Sequence, residues 1–462
     1  MRLTIIGAGP GGYVAALKAA RLGAQVTVVE ADEVGGACLN RGCIPTKALI
    51  GSVEALQKAK RTGEFGLELS GSVAPNLSKI MERKNKIVST QCKGIRSLFK
   101  SWGITLVEGR GILLDDEQVE VRRKDGATEK IATDRIIIGT GSRPARMPLF
   151  PFDGEHVLSS DDALSIKAVP KSLIIVGAGV IGCEFACIFS ELGAEVAMVE
   201  MLPHVLSTED HEISETLERE LKKKRIKVMT GVTVEKAESR SDGIHIFLKE
   251  GKELMAEKLL VSTGRSFNTE GMGLEAVGIR RGDKGEIIVN EQMETNIKGI
   301  YAIGDVTGGM LLAHVASSEG IVAAYNACGI DRKMDCSAVP AGIFTLPEIG
   351  SVGLREHHAA EKGIRVRTGH FPFRALGKAH AMGEIAGMVK IVADAVTDKV
   401  LGVHIIGAHA SDLVHEGALA IRAGLTVREV GGMIHAHPAL SEGLMEAAED
   451  VHGEAIHTVP GK

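Results

Sequence analysis

The hydrophobic pattern opens on a short apolar run, Leu3 to Ile6, which enters Gly7-Ala-Gly-Pro-Gly-Gly12 and then an alanine-rich stretch, Tyr13 to Leu22, closed by Gly23. A second apolar run, Gln25 to Val29, ends in Glu30. Strand, glycine turn, helix, strand and acid are predicted in that order. The order returns at Leu173–Val176, Gly177-Ala-Gly-Val-Ile-Gly182, Cys183–Leu192 and Glu195–Glu200, and in both copies the acid stands 23 residues after the first glycine. The chain holds two copies of one device.

Between and after the copies the pattern is less regular. Gln118–Arg122 and Lys130–Ile138 read as strands, and Ile136 to Pro144 ends a strand in a glycine turn before a proline-rich linker to Pro151. Leu259 to Arg265 is a parallel phrase behind the second copy, and Gly299 to Asp305 brings a further strand to an acid. The texture changes at Asp335–Ala341. The remainder, with alternating Gly387–Ala393 and Val400–Ile406, reads as an α+β domain carrying most of the histidines.

Composition narrows the function classes. With 54 Lys+Arg against 59 Asp+Glu, the net charge of −5 offers no basic field for nucleic acid or anionic lipid. An aromatic share of 3% argues against stacking platforms. Glycine, at 56 of 462 residues and without a three-residue period, implies many tight turns and close backbone approaches. Seven cysteines in so long a chain make no secreted disulfide framework. Met1-Arg2 leads directly into the first apolar run and no apolar stretch is long enough to span a bilayer, so a soluble, cytoplasmic protein without membrane or nucleic-acid partners is expected.

Gly7, Gly9 and Gly12, set between strand and helix with Glu30 after the second strand, meet the context that a dinucleotide fingerprint requires. Glycines let the backbone approach a pyrophosphate at the helix N-terminus, and the acid accepts from a ribose hydroxyl. Gly177, Gly179, Gly182 and Glu200 meet the same test, so two dinucleotides are expected, with electron transfer between them. A 2′-phosphate beside Glu200 would be repelled and would need arginine, which Met201 and Leu202 do not supply. NAD is therefore favoured over NADP in the second site.

Just past Glu30 lies Gly35-Gly-Ala-Cys38-Leu-Asn-Arg-Gly-Cys43-Ile-Pro-Thr-Lys47. Its cysteine spacing matches no common zinc pattern, and no nearby Cys or His completes a ligand set. Beside a bound flavin, Cys38 and Cys43 read as a redox pair, one sulfur passing electrons to the ring and the other meeting a thiol substrate. Cys183 and Cys187, one helical turn apart, read as buried packing, as do Cys92, Cys328 and Cys336.

Together with Thr140-Gly-Ser-Arg-Pro144, Gly264-Arg265, Tyr301-Ala-Ile-Gly-Asp305, Leu312-Ala-His314 and His435-Ala-His-Pro-Ala-Leu-Ser-Glu442, these motifs closely resemble the flavoprotein disulfide reductases of the pyridine nucleotide-disulfide oxidoreductase family, nearly end to end. The resemblance implies an α/β chain with two Rossmann-like domains and a C-terminal α+β dimerisation domain. The divisions are an FAD-binding domain (1–146), an NAD-binding domain (147–266), a central domain completing the FAD site (267–336) and an interface domain (337–462). It implies FAD held by Gly7, Gly9, Gly12, Glu30, Lys47, Gly109, Thr140, Gly141, Ser142, Asp305, Leu311, Leu312, Ala313 and His314. NAD is implied at Gly177, Gly179, Gly182, Glu184, Glu200, Val234 and Gly264.

The catalytic set that the resemblance implies is Cys38, Cys43, Lys47, Glu184, His437 and Glu442. In it Glu184 pairs with Lys47 beside the flavin, and His437, oriented by Glu442, moves a thiol proton; a surface charge is the simpler alternative for Glu184. His435 is expected to support structure at least as much as chemistry. The implied activity is oxidation of a dihydrolipoyl dithiol by NAD⁺ in a homodimer. The dithiol would arrive on lipoyl-bearing domains of 2-oxo acid dehydrogenase complexes or on the glycine-cleavage carrier. A glutathione-type reductase would need arginines after the second fingerprint, and a mercuric reductase a cysteine pair near its C-terminus; the last cysteine here is Cys336.

Overall fold

The computed structural model describes residues 1–249 and 251–458. It comprises two compact units, each assembled from separate stretches of chain: Met1–Leu49, Ser78–Ala145 and Gly264–Asp335 in one, and Ile50–Leu77, Arg146–Thr263 and Cys336–Lys462 in the other.

The first unit is built on a five-stranded parallel sheet in the order Ile300–Ala302, Arg135–Ile138, Arg2–Ile6, Gln25–Glu30, Thr105–Glu108. Ile5 lies between Val28 and Ile137, all fully buried, because a parallel sheet is covered on both faces and its strands read as continuous apolar runs. The chain leaves the central strand at Gly7 and turns into the helix Pro10–Arg21, whose buried face is Ala15, Ala16 and Ala19. That helix packs against Ala313–Ala327 at a glycine crossing, where a Cβ on Gly320 would lie 2.4 Å from the Gly11 carbonyl oxygen. An antiparallel sheet of Arg110–Leu113, Gln118–Arg122 and Thr128–Ala132 completes the unit.

The single strand expected over Lys130–Ile138 is two strands in different sheets, Thr128–Ala132 and Arg135–Ile138. The break falls at Thr133-Asp134, where the Thr133 hydroxyl donates to the Arg135 carbonyl at 2.7 Å and Asp134 accepts from the Arg2 amide at 2.7 Å. These side-chain bonds give the chain an alternative to continuing the ladder.

The second unit repeats the device: a parallel sheet in the order Lys227–Met229, Glu195–Val199, Ser172–Val176, Lys258–Val261, Val157–Leu158, with the helix Val180–Leu192 and an antiparallel three-stranded sheet. It also holds an antiparallel sheet in the order Ala341–Ile343, Ile349–Gly353, Val400–Ile406, Met388–Asp394, Val366–Pro372. The alternation read at Gly387–Ala393 and Val400–Ile406 is real, yet both faces are buried. One carries Phe371, Val389 and Ile405 in cross-strand register. The other carries Ser351, His404, Lys390 and His370 in register.

Lys390 is 1% exposed and bonds Asp210 at 3.0 Å, Glu212 at 2.6 Å and Glu356 at 2.6 Å. Burial opposes its charge, but the three carboxylates outweigh burial and raise its pKa. Glu212 is held down to about 2, first by its bond to His370, against burial, with Lys390 adding to the effect. Lys390→Met is expected to destabilise the fold by about 3–5 kcal/mol, because it leaves the buried Asp210 carboxylate without its cation; urea unfolding measures this. Since Glu212 has a depressed pKa in the fold, its contribution is present above the ordinary value of 4.5 and is lost as the pH falls toward 2, which acid titration followed by circular dichroism checks.

Candidate functional site

The two fingerprint turns need glycine for steric reasons. A Cβ on Gly12 would lie 1.9 Å from the Gly7 carbonyl oxygen, and one on Gly182 would lie 1.9 Å from that of Gly177. Gly7 and Gly177 have φ of +102° and +98°, with backbone atoms of Gly139 and Ser262 pressed against them. Gly9 and Gly179 face the other way: a Cβ on Gly9 would meet only the Gly36 Cα at 3.9 Å, and one on Gly179 nothing within 4 Å. Both helices begin without a side-chain cap and without an acidic residue in the first turn. Bare amides beside an open glycine are what a dinucleotide pyrophosphate requires, so the residues present fit that group at both turns. The two acids are fixed by the turns themselves. Glu30 accepts from the Ala8 amide at 2.7 Å and the Asp32 amide at 2.8 Å, and Glu200 from Ala178 at 2.7 Å and Leu202 at 2.9 Å. Burial raises the Glu30 pKa, and the amide bonds offset only part of that.

The cysteine loop is joined to the first turn through backbone. The Gly35 amide donates to the Ala8 carbonyl at 2.7 Å, and a Cβ on Gly36 would come within 2.7 Å of the Gly9 Cα. Gly35 and Gly36, with φ of +93° and +59°, start the short helix Gly36–Arg41 that carries Cys38. Gly42 separates it from the helix starting at Cys43, and a Cβ there would lie 3.2 Å from the Cys38 Cα. Cys38 and Cys43 stand as thiols hydrogen-bonded to each other. That bond, then burial, raises the Cys38 pKa, while the Lys47 charge acts in the opposite direction.

Asn40 steadies the loop, its amide donating to Val34 at 3.1 Å and Gly36 at 3.0 Å while its oxygen accepts from the Cys92 thiol at 3.2 Å. Neither Asn40 nor this use of Cys92 was legible in the pattern.

Asp305 follows the strand Ile300–Ala302 and accepts from the Ser142 hydroxyl. Arg265 donates to that hydroxyl at 2.6 Å and to the Ser142 carbonyl at 2.9 Å, because Ser142–Pro144 and Arg265–Phe267 pair as antiparallel strands. Thr140 and Asn268 exchange bonds of 2.8 and 2.9 Å, Gly141 has φ of +67°, and Gly264 has φ of +140° over open space. Gly109 donates to the Glu30 carbonyl at 2.8 Å. Leu311 is exposed, and Leu312 caps the helix whose first residues are Ala313 and His314. The organising role of Arg265 and the buried Glu319, which accepts from the Gly304 amide at 2.6 Å, lay outside the expected set. An acid inside the otherwise uncharged stretch Val315–Ala324 was the available signal for Glu319.

In the second unit Glu184 is 3% exposed and accepts from the Phe344 amide at 3.0 Å, which removes the reading as a surface charge. The Val234 side chain lies in the apolar core. His437 is 77% exposed, with Nδ1 2.8 Å from Glu442 Oε1, and the other Glu442 oxygen accepts from the Ala439 amide at 2.9 Å. Burial alone would raise the Glu442 pKa, but these two bonds lower it, so Glu442 is the anionic partner that orients the ring. His435 is enclosed between Glu416 at 2.8 Å and the Met433 carbonyl at 2.9 Å, in a structural setting. Cys183 and Cys187 are fully buried. No helix among the described residues is long and apolar enough to cross a membrane.

Residues 1–320 match the pyridine nucleotide-disulphide oxidoreductase family, and residues 339–448 match its dimerisation domain. The chain is 44% identical to a dihydrolipoyl dehydrogenase of Bacillus subtilis and 41% identical to one of Thermus scotoductus, in each case over 98% of this chain and 98% of the relative. Among solved structures it resembles LpdA from Mycobacterium tuberculosis, with a TM-score of 0.91 and 31% identity over 97% of this chain and 99% of that one.

Gly42→Ala is expected to strain the approach of the two cysteines and make their disulfide more oxidising by about 30 mV, equivalent to about 1.4 kcal/mol. Equilibration against dithiothreitol mixtures measures it.

Proposed function

We propose that this chain, which belongs to the pyridine nucleotide-disulphide oxidoreductase family, oxidises protein-bound dihydrolipoamide to lipoamide and reduces NAD⁺ to NADH. The observation that carries the reading is the backbone junction that seats the Cys38/Cys43 pair on the first dinucleotide turn. The first turn, with Glu30, Ser142 and Asp305, holds FAD; the second, with Glu200 and no neighbouring arginine at 201 or 202, holds NAD. The functional division is FAD-binding (1–146), NAD-binding (147–266), central (267–336) and interface (337–462), the working form is a homodimer in the cytoplasm, and the dithiol arrives on a lipoyl-bearing partner protein.

His437, contributed across the dimer and held by Glu442, takes a proton from one dihydrolipoyl thiol. The resulting thiolate attacks the Cys38 sulfur of the oxidised pair, a mixed disulfide forms, and Cys43 leaves as a thiolate. Once His437 has released its first proton to water, it takes the proton of the second substrate thiol, which attacks the lipoyl sulfur of the mixed disulfide, expels Cys38 as a thiolate and releases lipoamide, leaving both cysteines reduced. FAD, which Glu30, Ser142, Asp305 and the first glycine turn would hold, would supply the two-electron relay between the cysteine pair and NAD⁺. Lys47 and Glu184 fix the charge around that exchange, and Glu442, with its lowered pKa, stabilises imidazolium at His437.

Cys43→Ser is expected to abolish NADH-dependent reduction of free lipoamide, and His437→Gln to slow it roughly 100- to 10,000-fold. Hybrid dimers made by mixing the two variants are expected to regain activity, because one of their two sites then has an intact cysteine pair and an intact histidine. Activity surviving in Cys43→Ser, or inactive hybrids, would count against the reading.

A further inference from the structure

Glu319 lies in the helix Ala313–Ala327, one residue before the glycine that crosses the first fingerprint helix at Gly11. It is 7% exposed, and its carboxylate takes the Gly304 amide at 2.6 Å, so it grips the turn that delivers Asp305. Gly304 itself sits at φ +71° with the Ala316 Cβ only 3.2 Å from where its own would lie, which leaves that turn little freedom. We infer that Glu319 is a proton-linked positioning residue of the FAD cradle, holding the Gly304–Asp305 turn and taking up a proton when the cofactor binds. The inference rests on the assignment of FAD to the first turn.

The helix packs on Pro10–Arg21, on the Gly304–Thr307 turn and on the strands Ile300–Ala302 and Arg135–Ile138. The titratable and charged groups of those elements are Asp305 on the turn, Tyr301 and Arg135 on the strands, and Tyr13, Lys18 and Arg21 on the fingerprint helix. Among them Asp305 is the one that acts on Glu319, and it does so as a like charge. Burial raises Glu319 to about 7, with the Gly304 amide opposing and Asp305 reinforcing the shift. A pyrophosphate at the adjoining helix start adds negative charge and excludes water, and both favour the neutral acid. Binding FAD and binding a proton therefore support each other, and by linkage FAD affinity falls as the pH rises through and above 7. The fold follows the same sign: a carboxyl with a raised folded pKa lowers stability progressively from its ordinary value of 4.5 up to about 7.

The test titrates flavin-free protein with FAD at pH 6.5 and pH 8.5, followed by flavin fluorescence. For the natural chain the Kd is expected to rise roughly tenfold between the two, and for Glu319→Gln it is expected to stay level, because the amide cannot ionise. The same mixing done in weak buffer with an indicator dye, which needs no variant, is expected to show proton uptake near neutral pH. A pH dependence equal in both chains, or FAD binding without proton uptake, would overturn the inference. Absence of FAD binding at either pH would instead overturn the cofactor assignment on which it rests.

Discussion

The contact between Gly9 and Gly36 sets the geometry of everything around the first nucleotide turn. With no Cβ on either residue, the turn that opens toward a pyrophosphate and the loop that starts the cysteine helix touch backbone to backbone, and the Gly35 to Ala8 bond of 2.7 Å secures them. Side-chain rotamers do not intervene, so the distance from turn to thiol pair is set by covalent geometry and two φ angles in the left-handed region. Larger residues at 35 or 36 would separate binding from redox chemistry even with both cysteines intact.

The duplicated device has diverged through what surrounds each copy. Both turns anchor their acid on their own amides at 2.7 Å, and both leave the helix start uncapped. In the first copy the open glycine borders the cysteine loop, whereas in the second a Cβ on Gly179 would meet nothing within 4 Å. One architecture thus offers a site joined to a thiol pair and a site open to a cofactor that exchanges.

Buried charge is managed by satisfaction rather than avoidance. Lys390 is enclosed by three carboxylates at hydrogen-bond distance, and the part-buried Asp305 accepts from Ser142 with Arg265 3.6 Å away, so that in each case the desolvation cost is offset. Glu319, with one amide and a like charge for neighbours, is less well supported, and its acidity shifts accordingly.

The sequence by itself determined the two glycine turns with their acids, the cysteine pair and the three-part α/β and α+β layout, because each follows from local rules: apolar period, the steric need for glycine, and spacing along the chain. The family resemblance implied that His437 and Glu442, five residues apart, act together, and the fold places them 2.8 Å from each other. Only tertiary structure decided that Lys130–Ile138 is two strands, that both faces of the last sheet are covered, and that Glu184 and His435 are enclosed. It alone brought Arg265 to Ser142 and Asp305, and Glu319 to Gly304, across 123, 40 and 15 positions of chain. Burial and hydrogen-bond partnership are properties of what packs from elsewhere, and no window of neighbouring residues contains them.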